Sequence, residues 1–194
     1  MEFIIHRINK IKELKSISRE YGTEIDIRTN GSHLILNHEP YSTGDYLEDY
    51  LENYKHKTLV LNFKEAGIEN DVIKLVKKNK IKSYFLLDVE MPYMYFASKK
   101  KIKEIAVRFS EYEDISLAKY FQKNLNWIWI DTATKLPLTI KNLKIISKFK
   151  SVLVCPERWG RPQDINKYKK RMNYLGYKPY AIMTNKKYLK EWLK

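Results

Sequence analysis

The sequence predicts an α/β fold: a compact (β/α)8 barrel of the TIM type with short loops, folded as a single domain over residues 1–194. Short apolar, β-branched and aromatic runs alternate with longer Lys/Glu-rich segments of helical period, the rhythm of a parallel sheet with crossover helices. Eight such units favour closure into a barrel over an open sheet. With 194 residues, 44% of them apolar, the chain can bury one substantial core. A full barrel usually needs about 200 to 250 residues, so the loops must be short.

The strand candidates, in order, are Phe3-Ile-Ile, Glu24-Ile-Asp-Ile-Arg, Thr58 to Phe63, Tyr84 to Asp88, Ile105 to Phe109, Trp127 to Asp131, Val152 to Cys155 and Tyr180 to Met183. Between them, Ile8 to Tyr21 carries Ile8, Ile11, Leu14 and Ile17 on one helical stripe. Thr43 to Tyr54 opens with Thr43 as an N-cap candidate, and Ile68 to Asn79 carries Val72, Ile73, Leu75 and Val76. The remaining helices are expected over Tyr93 to Lys103, Ile115 to Asn124, Thr139 to Phe149, Pro162 to Leu175 and Tyr188 to Lys194. Pro162 suits a first helical turn. After the second strand, Asn30-Gly31 signals a tight turn and His33 to Pro40 reads as a short returning strand. A small β-hairpin is thus expected in the second βα loop.

Composition narrows the function classes. The formal charge is +14, from 37 basic and 23 acidic residues, and 30 of the basic residues are Lys against 7 Arg. Lys is spread over every expected helix but Thr43 to Tyr54, as on a solvated surface. A nucleic-acid module would cluster its basic residues on one face with interleaved aromatics, so the pattern argues against one. The field still attracts anions, including phosphorylated substrates, and peripheral contact with an anionic membrane stays open. Cys155 is the only cysteine, which excludes an internal disulfide or a Cys-based zinc site; its strand context suits a core residue better than a nucleophile. The N-terminus lacks signal-peptide order and no apolar run reaches membrane-span length, so a cytoplasmic protein is expected.

In such a barrel the reacting groups sit at the carboxyl ends of the strands. Those ends carry His6 and Arg7; Glu24 and Asp26, then His38 and Glu39; Asn62 and Lys64; Asp88 and Glu90; Arg108; Asp131; Glu157; and Thr184. Period-two alternation puts Glu24, Asp26 and Arg28 on one face of their strand. Two carboxylates so spaced offer hard oxygens to Mg²⁺ or Ca²⁺; the alternative is an exposed edge strand with charge pairs. Asp88 and Glu90, in the same spacing at another strand end, strengthen the metal reading. His6 and His38 are candidate acid and base, since imidazole titrates near neutrality. Arg7 and Lys64 would neutralise a phosphoryl group. Arg108, Glu157 and Arg158 are either substrate head-group contacts or members of ion pairs. Trp159 and Trp129 either stack on a sugar ring or a base or, for Trp129 and Trp127 above all, pack against the helices.

These residues in this order resemble the glycerophosphodiester phosphodiesterase family, among the barrels akin to phosphatidylinositol-specific phospholipase C. That family opens with a strand ending His-Arg-Gly, followed by Glu-x-Asp on the second strand, a Gly-bearing excursion ending His-Asp, and a third strand ending Glu-x-Lys. The counterparts here are His6-Arg7-Ile8, Glu24-Ile25-Asp26, Gly31 leading to His38-Glu39-Pro40, and Asn62-Phe63-Lys64. The match covers the first third of the chain. Ile8 replaces the usual Gly, and Asn62 stands where the family has a third metal carboxylate, a loss for which Asp88 or Glu90 would compensate.

The resemblance implies a phosphoric diester hydrolase or cyclising lyase acting on a glycerophosphodiester-like or a glycan- or lipid-linked phosphodiester. It implies His6 and His38 as acid and base, Glu24 and Asp26 as ligands of a divalent Mg²⁺ or Ca²⁺, and Arg7 and Lys64 as phosphate contacts. The competing expectation is a degenerate barrel that binds a phosphorylated ligand, such as a surface-polysaccharide precursor, without turning it over. Ile8 and Asn62 favour that alternative.

Overall fold

A computed structural model describes residues 1–193. In chain order the elements are β1 (Glu2–Ile5), α1 (Ile11–Lys15), β2 (Gly22–Asn30), β3 (His33–Leu36), β4 (Asp45–Tyr46), α2 (Leu47–Asn53), β5 (Leu59–Phe63), α3 (Glu69–Lys78), β6 (Tyr84–Leu87) and α4 (Met91–Lys99). They continue with β7 (Ala106–Phe109), α5 (Ile115–Phe121), β8 (Trp127–Ile130), α6 (Ile140–Ile146), β9 (Lys150–Val154), α7 (Ile165–Tyr174), β10 (Ala181–Thr184) and α8 (Leu189–Leu193). Apart from β3 and β4, this is eight successive strand–helix units, the repeat read from the sequence. The last residue of the expected Tyr188 to Lys194 helix lies outside the described residues.

The chain forms two compact units. One runs from Ile5 to Met94; the other comprises Met1–Ile4 and the chain from Tyr95 onward. In the first, β2 is central: it pairs in parallel with β5, which pairs in parallel with β6, and its distal half pairs antiparallel with β3. Ile25, Ile27, Val60, Leu61, Phe85 and Leu86 are fully buried, the near-continuous apolar runs of strands covered on both faces. In the second, β7, β8, β9 and β10 form a parallel run in that order. Trp127 and Trp129 are both buried there, which leaves packing as their role.

The excursion after β2 is larger than one returning strand. Asn30 pairs with His33 across a tight turn in which Gly31 takes φ +60, and β3 then pairs with the short β4. Gly44 is required by close approach, because a Cβ there would lie 2.3 Å from the Leu36 carbonyl oxygen. Gly44→Ala is therefore expected to unseat β4 and cost on the order of 1–3 kcal/mol, measurable by urea denaturation. An unchanged midpoint would mean that the loop yields freely.

Two helices depart from expectation for identifiable reasons. Thr43 caps nothing: Asp45 and Tyr46 are drawn into the ladder with β3, so α2 starts at Leu47. The first helix shrinks to Ile11–Lys15 because its leading residues are engaged elsewhere. The Ile8 N–H donates to the Glu24 carbonyl at 2.8 Å, and the Ile11 N–H donates to the Asp45 carboxylate at 2.6 Å. By contrast Thr139 caps α6 as a full capping box with Asn142.

Candidate active site

Every residue that carried the sequence resemblance lies in the unit from Ile5 to Met94. The strand β2 brings Glu24 and Asp26 to one face, each only 1% exposed. The strand is therefore no exposed edge, and its carboxylates must be compensated internally.

Asp26 is surrounded by cations and amides. Lys64 Nζ stands 3.2 Å from its Oδ1, and Arg7 Nε stands 3.4 Å from its Oδ2. The Asn9 side chain donates to Oδ2 at 2.9 Å and accepts the Asp26 backbone N–H at 2.8 Å. Oδ1 is buried and accepts no hydrogen bond, so its compensation comes from Lys64. Glu24 is held differently. Its Oε2 accepts the Arg7 backbone N–H at 2.7 Å, with His6 Nε2 at 3.8 Å, and its Oε1 accepts the Asn62 side-chain amide at 2.7 Å.

Burial pushes the Glu24 carboxyl up to about 7, and the charge of Asp26 adds to the rise; the Asn62 and Arg7 hydrogen bonds and Lys64 oppose it. The folded protein therefore retains a proton on Glu24 that the unfolded chain, with the ordinary value of 4.5, releases. The resulting stabilisation is complete below about 4.5 and is lost as pH rises through about 7. It amounts to on the order of 3 kcal/mol for this one group. Glu24→Gln should flatten that part of the pH–stability profile, read as melting temperature from pH 5 to 8. A profile as steep as that of the parent would assign the slope to other groups.

Arg28, on the same face of β2, ties the hairpin to the site. Its Nε donates to the His38 carbonyl at 3.0 Å and a guanidinium N–H donates to the Lys64 carbonyl at 3.1 Å. His38 Nδ1 lies 2.6 Å from the Glu39 carboxylate. A carboxylate at that distance holds the proton on Nδ1 and leaves Nε2 as the acceptor of the neutral ring. Arg7 and His38 line one cavity of about 310 Å³ together with Asn9, Lys10 and Asp45. Arg7 and Asp88 both hold left-handed backbone conformations, φ 54 and φ 61, which non-glycine residues rarely adopt.

The other acidic candidates are arranged differently. Asp88 Oδ2 lies 3.8 Å from Lys64 Nζ, at the rim of the cluster. Glu90 is exposed, and its carbonyl accepts the Met94 N–H in the first turn of α4. Among the described residues, no group of three or more His, Cys, Asp and Glu could hold a metal ion. The expected compensation for Asn62 by Asp88 or Glu90 is thus not assembled. Each Glu24 oxygen accepts a protein N–H, and each Asp26 oxygen faces a protein cation. This donor set does not fit a divalent ion.

The second unit has its own polar residues. Arg108 pairs with Asp131. Glu157 is buried and accepts hydrogen bonds from Thr184 Oγ1 and Trp192 Nε1, which gives it a packing role at the end of β10. Trp159 is 42% exposed with the Arg158 guanidinium 5.7 Å from its ring centre. Burial, with Glu157 alongside, pushes the Cys155 thiol far above its ordinary value, as befits a core residue and not a nucleophile. Sequence reasoning missed Asn9, which brackets Asp26, and the orienting role of Glu39. An Asn two residues beyond His-Arg was the available signal for the first.

The fold and this site define a protein of (β/α)8 type with a carboxylate–cation cluster at its strand ends. The same fold occurs in solved glycerophosphoryl diester phosphodiesterases. A protein from Agrobacterium tumefaciens str. C58, provisionally assigned as one, superposes with a TM-score of 0.66 at 10% identity, over 95% of this chain and 93% of that one. A glycerophosphoryl diester phosphodiesterase from Parabacteroides distasonis ATCC 8503 superposes with a TM-score of 0.61 at 12% identity, over 94% of this chain and 81% of that one. No protein-family model matches the sequence, and no curated protein matches it. At this identity the likeness is one of fold. No helix among the described residues is long and apolar enough to cross a membrane.

Proposed function

We propose that the protein cleaves phosphodiesters. One observation carries the reading: Lys64 and Arg7 converge on the buried Asp26 beside the His6–Glu24 pair. The shared fold of glycerophosphoryl diester phosphodiesterases supports it.

In the reaction, a hydroxyl oxygen, from water or from a neighbouring hydroxyl of the substrate, bonds to phosphorus. His38 Nε2 takes the proton of that hydroxyl, since Glu39 holds the other ring proton. The bond from phosphorus to the departing alkoxide breaks, and His6 delivers a proton to that oxygen. Lys64 and Arg7 offset the charge gathering on the phosphoryl oxygens. Water as nucleophile yields a phosphomonoester; an internal hydroxyl yields a cyclic phosphate. The cavity beside Arg7 and His38 is lined by both donors and carboxylates, which suits a hydroxyl-rich alcohol, glycerol-like or glycan-linked, better than an acyl chain.

A second reading, a site that binds a phosphorylated ligand without turnover, draws on Asn62, which spends its amide on Glu24 instead of supplying a third carboxylate. Turnover of a panel of glycerophosphodiesters and glycan- and nucleoside-diphosphate-linked diesters separates the two. Release of alcohol from any of them supports the enzyme. Tight binding of a phosphomonoester with every diester left intact establishes the binding protein.

A further inference from the structure

We infer that this site works with a built-in cation: Lys64, seconded by Arg7, takes the place of a divalent metal, and Asn62 is the residue that keeps the metal out. The inference rests on the phosphodiesterase reading for the cation's purpose, and on the site's own geometry for its identity.

Calcium takes 6–8 oxygen ligands and magnesium an octahedron of six, mostly carboxylate, carbonyl and water oxygens. In this site three of the four inward carboxylate oxygens accept protein N–H groups and the fourth, Asp26 Oδ1, faces the Lys64 ammonium. Asn62 Nδ2 lies 2.7 Å from Glu24 Oε1, the Arg7 N–H 2.7 Å from Oε2, Asn9 Nδ2 2.9 Å from Asp26 Oδ2, and Lys64 Nζ 3.2 Å from Asp26 Oδ1. An ion bound by Asp26 would sit beside the ammonium of Lys64 and the guanidinium of Arg7, and like charges at that separation repel. Lys64 and Arg7 already offset the charge of the buried Asp26, so the cluster has no charge deficit for an ion to fill. The residue paired with Asp26 in the adjacent strand is Asn62, and its amide is oriented by the hydrogen bond to Glu24. Turned over, it would set its buried oxygen against a carboxylate oxygen.

Lys64 is the member that can serve substrate as well as structure. It is 16% exposed, against 1% for its partner Asp26, and it reaches toward Asp88 at the rim. An ammonium so placed offers its remaining protons to a phosphoryl oxygen.

The test is cation binding by the purified protein, followed by melting temperature and by isothermal titration with Ca²⁺ and Mg²⁺ alone. The parent should show no shift at about 1 mM of either ion, a level at which even weak protein calcium sites fill. Asn62→Asp adds a carboxylate beside Glu24 and should gain Ca²⁺ affinity by at least about tenfold, with a melting temperature that falls in chelator and recovers with Ca²⁺. Binding of either ion by the parent at or below about 1 mM, lost in Glu24→Gln, overturns the inference. If Asn62→Asp does not fold, the parent titration decides alone. Because no substrate enters these measurements, their outcome stands whether or not a diester is cleaved. Should a diester be cleaved, chelator must leave the rate unchanged; a rate abolished by chelator and restored by Ca²⁺ or Mg²⁺ also overturns the inference.

Discussion

His6→Ala and His38→Ala are each expected to lower the turnover of a phosphodiester by about 10²- to 10⁴-fold, the usual worth of one positioned proton-transfer group. The two losses should differ in kind. His38 sits on the hairpin strand's exit, with Glu39 2.6 Å from its Nδ1 and Arg28 holding its carbonyl. Its removal takes away the acceptor for the nucleophile's proton, so the loss should be seen with every diester whatever its leaving group. Glu39→Gln should reproduce a part of this loss, because the ring then loses the carboxylate that fixes its tautomer. His6 lies against Glu24, and its removal takes the proton from the leaving oxygen. Substrates with good leaving groups should therefore escape the His6→Ala defect and not that of His38→Ala. Equal rates for parent and both variants would remove the histidines from the mechanism.

Lys64→Met is expected to act on both stability and rate. Asp26 is 1% exposed, and Lys64 supplies the cation nearest its Oδ1. Removing one partner of a buried pair leaves a charge without compensation and typically costs 3–5 kcal/mol. Arg7 and Asn9 still engage the other oxygen, so a loss near the lower end, about 3 kcal/mol, is expected from urea denaturation. Turnover should fall by about 10²- to 10³-fold, as for the loss of a group that stabilises transition-state charge. Adding Asp26→Asn should restore much of the stability, because the uncompensated charge is gone, and none of the rate. That split separates the lysine's structural part from its chemical one. A single variant with parental stability would mean that Arg7 and Asn9 suffice for Asp26.

The strand–helix rhythm was legible because parallel strands covered on both faces read as uninterrupted apolar runs, as Leu59 to Leu61 and Phe85 to Leu87 do. The hairpin was legible from Asn30-Gly31, whose glycine is needed at φ +60. The extent of the hairpin was not. Nothing local in Asp45-Tyr46 marks a strand, and only the ladder with β3 makes it one. The first helix was overread for the converse reason: its apolar stripe has helical spacing, but the backbone of Ile8 and Ile11 is committed to partners far along the chain. At the site, alternation along β2 placed Glu24 and Asp26 correctly on one face. What those carboxylates meet depends on contacts across strands, so Asn9, Lys64 and Asn62 emerged as their donors only in three dimensions. Glu157 shows the same lesson inverted: a polar residue just beyond a strand end turned out to be buried under Trp192 and Thr184.

The most direct test of the account is a ³¹P NMR time course of the purified protein with a glycerophosphodiester, run with chelator throughout and beside a His6→Ala, His38→Ala double variant. The account predicts that the diester resonance is replaced by that of a phosphomonoester or cyclic phosphate in the parent sample and persists in the variant. A diester resonance that persists in both, across the panel of alcohols, would contradict it.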